Sequence, residues 1–218
     1  VIAGSRFLLP FTAVLWCGAG ACCLRDYRGK RENEALPRTL RTGWAFLLLL
    51  AAAGTVFVLC DVNILGNGDR YGGLKQYLFF NDDWGTHRGY VWRIAVEDYS
   101  KFPPLQKIVG FGPDTFGIVT RLNNYPEMAD RYQEIFDSAH NEYLQYLVTT
   151  GPLGLLSYMA VHIGAAMEIV RKKRGDWLAA AALVAVLCYD LQAAVNINQP
   201  IAAPVMWTLL AAGAAKRT

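Results

Sequence analysis

The chain has 218 residues, of which 54% are hydrophobic and only 18% charged, with a net charge of +3. Water-soluble domains carry about 25% charged residues, so this composition excludes an ordinary soluble globule and leads toward lipid. A net charge this small leaves no basic footprint for nucleic acid, and its distribution matters more than its size.

The start, "VIAGSR", has no Met and runs straight into an apolar segment, without the n-region, h-region and cleavage site of a signal peptide. It reads as a cut end, so the chain is expected to be a portion of something larger. Five apolar runs follow, at residues 7–24, 43–61, 152–170, 177–195 and 201–215. At 1.5 Å per residue the first four reach about 27–29 Å, close to a hydrocarbon core of roughly 30 Å, and the fifth is shorter. Trp44, Trp177 and Trp207 stand at or near run ends, as interfacial anchors do. Cys17, Cys22, Cys23, Cys60 and Cys188 all fall inside apolar segments without metal-ligand spacing. They read as small buried hydrophobes rather than disulfides or zinc ligands.

The segments between runs set the orientation. "RDYRGKRENEALPRTLRTG" holds six Lys/Arg against three acidic residues, "RKKRGD" holds four in a row, and the chain ends in "KRT", whereas "NINQP" has none. Basic loops stay in the cytoplasm, and the three basic segments agree on one alternating topology. Residues 25–42, 171–176 and the C-terminus are expected inside, 62–151 and 196–200 outside. The expected fold class is therefore all-α: a polytopic helical membrane protein of about five spans with one large extracytoplasmic helical loop. It divides into 1–61 (two spans and a basic loop), 62–151 (the outer loop) and 152–218 (three spans).

An outer loop of about 90 residues is too long for a connector and is where chemistry is expected. "HRGYVWRIAVEDYS" has helical spacing, with Arg88, Trp92, Ala95 and Tyr99 on one face and His87 facing elsewhere. Pro103 and Pro104 stop that helix, and "GFGPDTFG" follows as a tight glycine turn without the Lys-Ser/Thr of a phosphate loop. "EMADRYQEIFDSAHNEYLQYLV" is a second helical pattern, its stripe made by Tyr132, Ile135, Phe136, Ala139, Tyr143 and Leu147. Either Asp137 or Ser138 caps a fresh helix that puts His140 in a first turn, or one continuous helix puts His140 on the flank of the stripe. One Arg and one His on the outer side, both beside membrane, suit an anionic lipid-borne substrate.

Three stretches resemble the O-antigen ligase and polymerase (Wzy-type) family of polytopic membrane glycosyltransferases. The first is "RGYVW" followed by "PPLQKIVGFGPDTFG"; the second is "AHNEYLQYLVTTGPLGLLSY", similar to the family's Ala-His-Asn-x-Tyr-Leu signature and Gly-x-x-Gly; the third is the tail "NINQPIAAPVMWTLLAAG". The resemblance runs from about residue 43 to the end and implies the C-terminal part of a protein with roughly twice as many spans. The last run holds a small-residue "AAGAA" where bulkier residues are expected.

The resemblance implies transfer of glycan from an undecaprenyl-diphosphate carrier to a glycan or lipid acceptor at the outer face of a bacterial cytoplasmic membrane. By position Arg88 and His140 match the family's catalytic Arg and His. Asn141 beside His140, together with Arg93, Arg121 and Arg131 as candidates for a further Arg, are expected to bind substrate. A guanidinium presents a charged fork to diphosphate oxygens, and histidine is the side chain suited to take the proton of an attacking hydroxyl near neutral pH. No cofactor or metal is expected. A Mg²⁺-dependent rival built on Asp82, Asp83 or Asp114 is disfavoured because adjacent Asp82 and Asp83 read as a solvated turn. A transporter or lipid-binding scaffold is the alternative from another class, resting on His162, Glu168 and Asp190 within spans. Against it, a lone His162 or Asp190 satisfied by a neighbouring helix is an equally good structural reading, and there is no repeated broken-helix pattern.

Overall fold

A computed structural model describes residues 38–172 and 177–215. The first apolar run at 7–24, Arg31, Cys17, Cys22, Cys23, most of "RKKRGD" and the terminal "KRT" lie outside the described residues. All regular structure within them is helical.

Helix α1, Arg38–Asn63, grows from a Leu/Ala-rich stretch with no proline. Phe46, Leu47, Leu49, Leu50, Val56 and Phe57 all stand exposed along it. Its end is fastened by polar side chains. Asn63 Nδ2 donates to the carbonyls of Leu59 (2.9 Å) and Leu78 (2.8 Å), and Phe80 N–H donates to Asn63 Oδ1 at 2.7 Å. Buried Asp61 accepts from Asn67 Nδ2 (2.7 Å) and Tyr71 Oη (2.9 Å). The chain then turns by 111° into a 3₁₀ segment, Gly68–Leu74, and the short helix α2, Lys75–Leu78.

Helix α3, Trp84–Ser100, α4, Gln106–Val109, and α5, Phe116–Glu127, enclose the main core together with the start of α6, Glu142–Lys172. Tyr90, Ile94, Phe116, Val119, Met128, Phe136, Ala139 and Val148 are all buried there. The segment between the apolar runs is thus a packed helical unit with its own interior. Helices α7, Trp177–Ala193, and α8, Ala202–Ala214, pack on α6 through Val186, Met206 and Leu210. Gly213 accounts for one residue of the small-residue tail: a Cβ there would come within 2.8 Å of Ile169 Cδ1 and 3.4 Å of Ala182 Cβ. A side chain at that position would press on Ile169 Cδ1, which would have to move aside.

Among the described helices, one is long and apolar enough to cross a membrane alone, Glu142–Arg171. A second qualifies when the bent pair Leu49–Asn63 and Gly68–Leu78 counts as one span. Helices α7 and α8 are apolar but shorter, with 17 and 13 residues.

The second expected helix is not continuous. A π turn at Met128–Tyr132 ends it, Gln133 adopts a left-handed φ of 53°, and the chain is irregular until Glu142. Phe136 and Ala139 still reach the core, because side chains replace the missing helical partners. Thr120 Oγ1 donates to the Phe136 carbonyl (2.7 Å), Trp92 Nε1 donates to the Ala139 carbonyl (2.9 Å), and Gln145 Oε1 accepts the Ala139 N–H (2.9 Å).

The glycine motifs close a backbone joint. Phe111 N–H donates to the Val148 carbonyl (2.9 Å) and Gly112 N–H to the Thr149 carbonyl (2.8 Å). Those carbonyls are free because α6 breaks at Gly151, whose φ of 69° precedes Pro152. A Cβ on Gly151 would collide with the Ile108 carbonyl, and one on Gly110 with the Thr149 carbonyl. The "GFG" turn is therefore a docking surface for the helix that carries the His-Asn signature at its start.

Candidate functional site

Arg88 is the first regular residue of α3, after Gly85, Thr86 and His87 in left-handed conformations. That turn folds the chain so that Arg88 lies against Gly85, its Cδ 3.2 Å from where a Cβ would sit. Gly85 and Thr86 line a cavity of about 600 Å³ with Gly72, Lys75, Tyr77 and Asn81. Arg88 is partly buried and meets no carboxylate among the described residues. Burial lowers its guanidinium below the usual value. An arginine keeps its proton regardless, so the side chain is a desolvated, uncompensated cation.

Arg93, on the same helix, is the contrast. Its Nε and Nη2 donate to both oxygens of Asp82 at 3.1 Å, and Nη1 reaches Glu97 at 3.1 Å. The hydrogen bond to Asp82 raises its pKa. Arg131 Nη1 joins at Asp82 Oδ2 (2.8 Å), and Glu127 lies 3.5 Å from Arg93 and 3.8 Å from Arg131. Asp82 is thus no solvated turn residue: hydrogen bonds from Arg93 and then Arg131 hold its carboxyl below the ordinary range. Arg121 stands exposed on α5, apart from this network. The structure brings Arg93 and Arg131 together and leaves Arg88 and Arg121 outside the group.

His140 sits neither in a first turn nor on a helix flank. It precedes α6, partly buried, with φ +47°. Left-handed backbone is uncommon for such a residue and is held here by local bonds. Its N–H donates to Ser138 Oγ (3.3 Å), and Nδ1 lies 3.3 Å from the Ser138 carbonyl. A carbonyl can only accept, so the neutral tautomer that makes this contact a hydrogen bond carries its proton on Nδ1 and its lone pair on Nε2. Asn141, not Asp137 or Ser138, caps α6: its Oδ1 accepts the Leu144 N–H at 3.1 Å. His87, expected to face elsewhere, packs with its ring centroid 4.6 Å from that of Tyr132, and its Nδ1 lies 3.6 Å from Asp83 Oδ1.

Trp92 connects the two expected catalytic residues. It lies four residues after Arg88 on α3, and its indole N–H holds the carbonyl of Ala139, the residue before His140. The Arg-x-x-x-Trp spacing and the Ala-His-Asn signature are two halves of one contact. A family model described as O-antigen ligase matches residues 7–159, more than half of the chain. The chain belongs to the O-antigen ligase family. That is a bacterial membrane family of polysaccharide biosynthesis, with glycosyl-transferring ligase activity. The match begins before residue 43 and ends at Met159, so the tail "NINQPIAAPVMWTLLAAG" lies outside it. No curated protein and no solved structure matches the chain.

Sequence reasoning missed Glu142, which is 2% exposed and accepts from Asn198 Nδ2 (2.9 Å) and Tyr189 Oη (3.2 Å). A glutamate inside an otherwise apolar-going segment was the available signal. His162, in the span-like part of α6, does find its neighbour: Nδ1 lies 3.4 Å from Asp190 Oδ1 on α7, and Trp207 of α8 stacks on the ring at 4.9 Å. The two groups of the alternative reading thus pair with each other, although His162 Nε2 and Asp190 Oδ1 have no hydrogen-bond partner among the described residues.

Proposed function

We propose that the chain carries the outer-face catalytic part of a membrane glycosyltransferase that moves glycan from an undecaprenyl-diphosphate carrier to an acceptor hydroxyl. In this reading the apolar runs are five spans, residues 62–151 form the extracytoplasmic unit between 1–61 and 152–218, and the basic segments stay in the cytoplasm. The exposed apolar side chains of α1 and of α6 after Gly151, Leu153 and Leu156 among them, support a lipid-facing placement.

One observation carries the chemistry. Arg88 is a partly buried cation with no acidic partner among the described residues, one helical turn from the Trp92 that fastens the His140 backbone. Arg88 grips the carrier diphosphate and offsets charge growing on it as the leaving group. The acceptor oxygen bonds to the anomeric carbon while the carbon–oxygen bond to diphosphate breaks, and His140 Nε2 takes the hydroxyl proton. Of the three further arginines, Arg121 is the better second contact, since Arg93 and Arg131 are committed to Asp82. Asn141 orders the helix start beside the base.

The test replaces His140 with Ala and Arg88 with Lys in a full-length parent. Transfer is expected to fall by about 10²–10⁴-fold for His140→Ala with normal accumulation in the membrane. Arg88→Lys keeps the charge, loses the fork and is also impaired. Normal turnover in either variant removes that residue from the mechanism.

A further inference from the structure

A second cavity, of about 190 Å³, opens at the root of α6 and is lined by Ser138, Asn141, Glu142, Gln145, Tyr146 and Asn198, among others. At the liquid's share of volume it has room for about six waters, which is the scale of one sugar ring rather than a chain of rings. Its walls carry amides and hydroxyls, and none of the lining residues is Arg, Lys or His. Glu142 closes the cavity with its carboxylate already held by Asn198 and Tyr189.

Several of the lining groups retain unused hydrogen-bonding capacity. Gln145 spends its oxygen on the Ala139 N–H and Asn141 its oxygen on the Leu144 N–H, which leaves both carboxamide NH₂ groups to donate. Asn198 spends its NH₂ on Glu142, which leaves its oxygen to accept. Donors and acceptors interleaved at fixed positions, with a carboxylate and no cation, suit neutral hydroxyl groups and repel phosphate. Ser138 and Asn141 flank His140 in the chain and both line the cavity. Arg88 is not among its walls.

We propose that this cavity is a subsite for one neutral sugar ring of the glycan substrate, presented to His140 and separate from the anion site at Arg88. The proposal deepens the transfer reading above and rests on it for the identity of the sugar as substrate. A cation-bearing site and a neutral, hydroxyl-reading cavity would divide the two halves of a sugar diphosphate, or donor and acceptor, between them.

The experiment reads binding without turnover, on the full chain in lipid nanodiscs, by saturation-transfer difference NMR. The probes are a panel of methyl pyranosides and inorganic pyrophosphate. Ile197 lines the mouth of the cavity and is 39% exposed on the connecting turn, so Ile197→Trp fills the space without entering the core. Tyr146→Phe removes a hydroxyl that has no partner among the described residues and keeps the ring stacked on Tyr158 at 4.4 Å. Saturation transfer to at least one methyl pyranoside is expected, lost in Ile197→Trp and weakened about threefold to tenfold in Tyr146→Phe, the range for one hydrogen bond. Pyrophosphate is expected not to displace the sugar. The subsite is overturned when no pyranoside binds, when both variants bind like the wild type, or when pyrophosphate competes. A full-length parent that binds sugar in this pattern yet transfers nothing keeps the subsite and loses the transfer reading.

Discussion

Replacing Trp92 with Phe removes one N–H and strands one carbonyl. The indole Nε1 reaches the Ala139 oxygen at 2.9 Å, and Ala139 is fully buried, so no water takes over. A net hydrogen bond contributes about 0.5–1.5 kcal/mol, and a buried acceptor left unmet costs about 1–3 kcal/mol. The phenyl ring retains part of the contact with Trp84, whose centroid lies 5.2 Å from that of Trp92. Destabilisation of about 1–3 kcal/mol follows, which leaves most of the protein folded. The effect on rate is larger, because His140 is the next residue after the freed carbonyl. A displacement of about 1 Å at a reacting group costs on the order of 10²-fold. Transfer by Trp92→Phe in a full-length parent, with accumulation and donor KM measured on the same membranes, should show a kcat lower by about 10–10²-fold. Donor KM should change little, since Arg88 stays on its helix. Wild-type kcat in a variant that accumulates normally would falsify the positioning role of Trp92.

Three further outcomes follow from other parts of the fold. Gly151→Ala places a Cβ against the Ile108 carbonyl at a φ of 69° and should cost several kcal/mol through backbone strain and collision, read as poor accumulation or a lowered thermal midpoint, whereas Ala at exposed Gly73, where a Cβ meets nothing within 4 Å, should be silent. Asp82 has a folded pKa below its ordinary value near 4, so its stabilisation is complete above that value and is lost as pH falls through the depressed pKa; Asp82→Asn should lower the melting temperature at pH 7 and flatten its decline on the acid side. For orientation, single cysteines introduced in place of Lys101 should label from outside intact cells and those in place of Arg31 and Lys172 should not; labelling at 172 but not at 101 inverts the topology and removes the proposed site from the carrier's face.

How far the site was legible depended on the distance over which each feature is encoded. Arg88, Trp92 and the helix they share could be read from spacing alone, since an (i, i+4) pair is a property of one segment. The His-Asn block could be read as a motif, but its backbone could not. Periodicity continued through residues 133–141 because Phe136 and Ala139 do face the core, as a helix would have placed them. Their burial was inferred correctly from a conformation that does not occur. Arg93 and Arg131 looked equal to Arg121 in sequence and differ from it through Asp82, which arrives from a turn before α3.

Composition, hydrophobic period and the Arg and His signatures by themselves determined the helical class and the family, because each is carried by residues close together in the chain. The tertiary structure alone decided that His140 stands outside a helix, with a left-handed backbone and Nδ1 against the Ser138 carbonyl. Backbone groups there forgo their helical partners only because Trp92, Thr120 and Gln145 supply side-chain ones, and two of those three come from other helices. It likewise decided that Glu142 is buried, since the donors that make its burial tolerable, Tyr189 and Asn198, lie 47 and 56 residues further along.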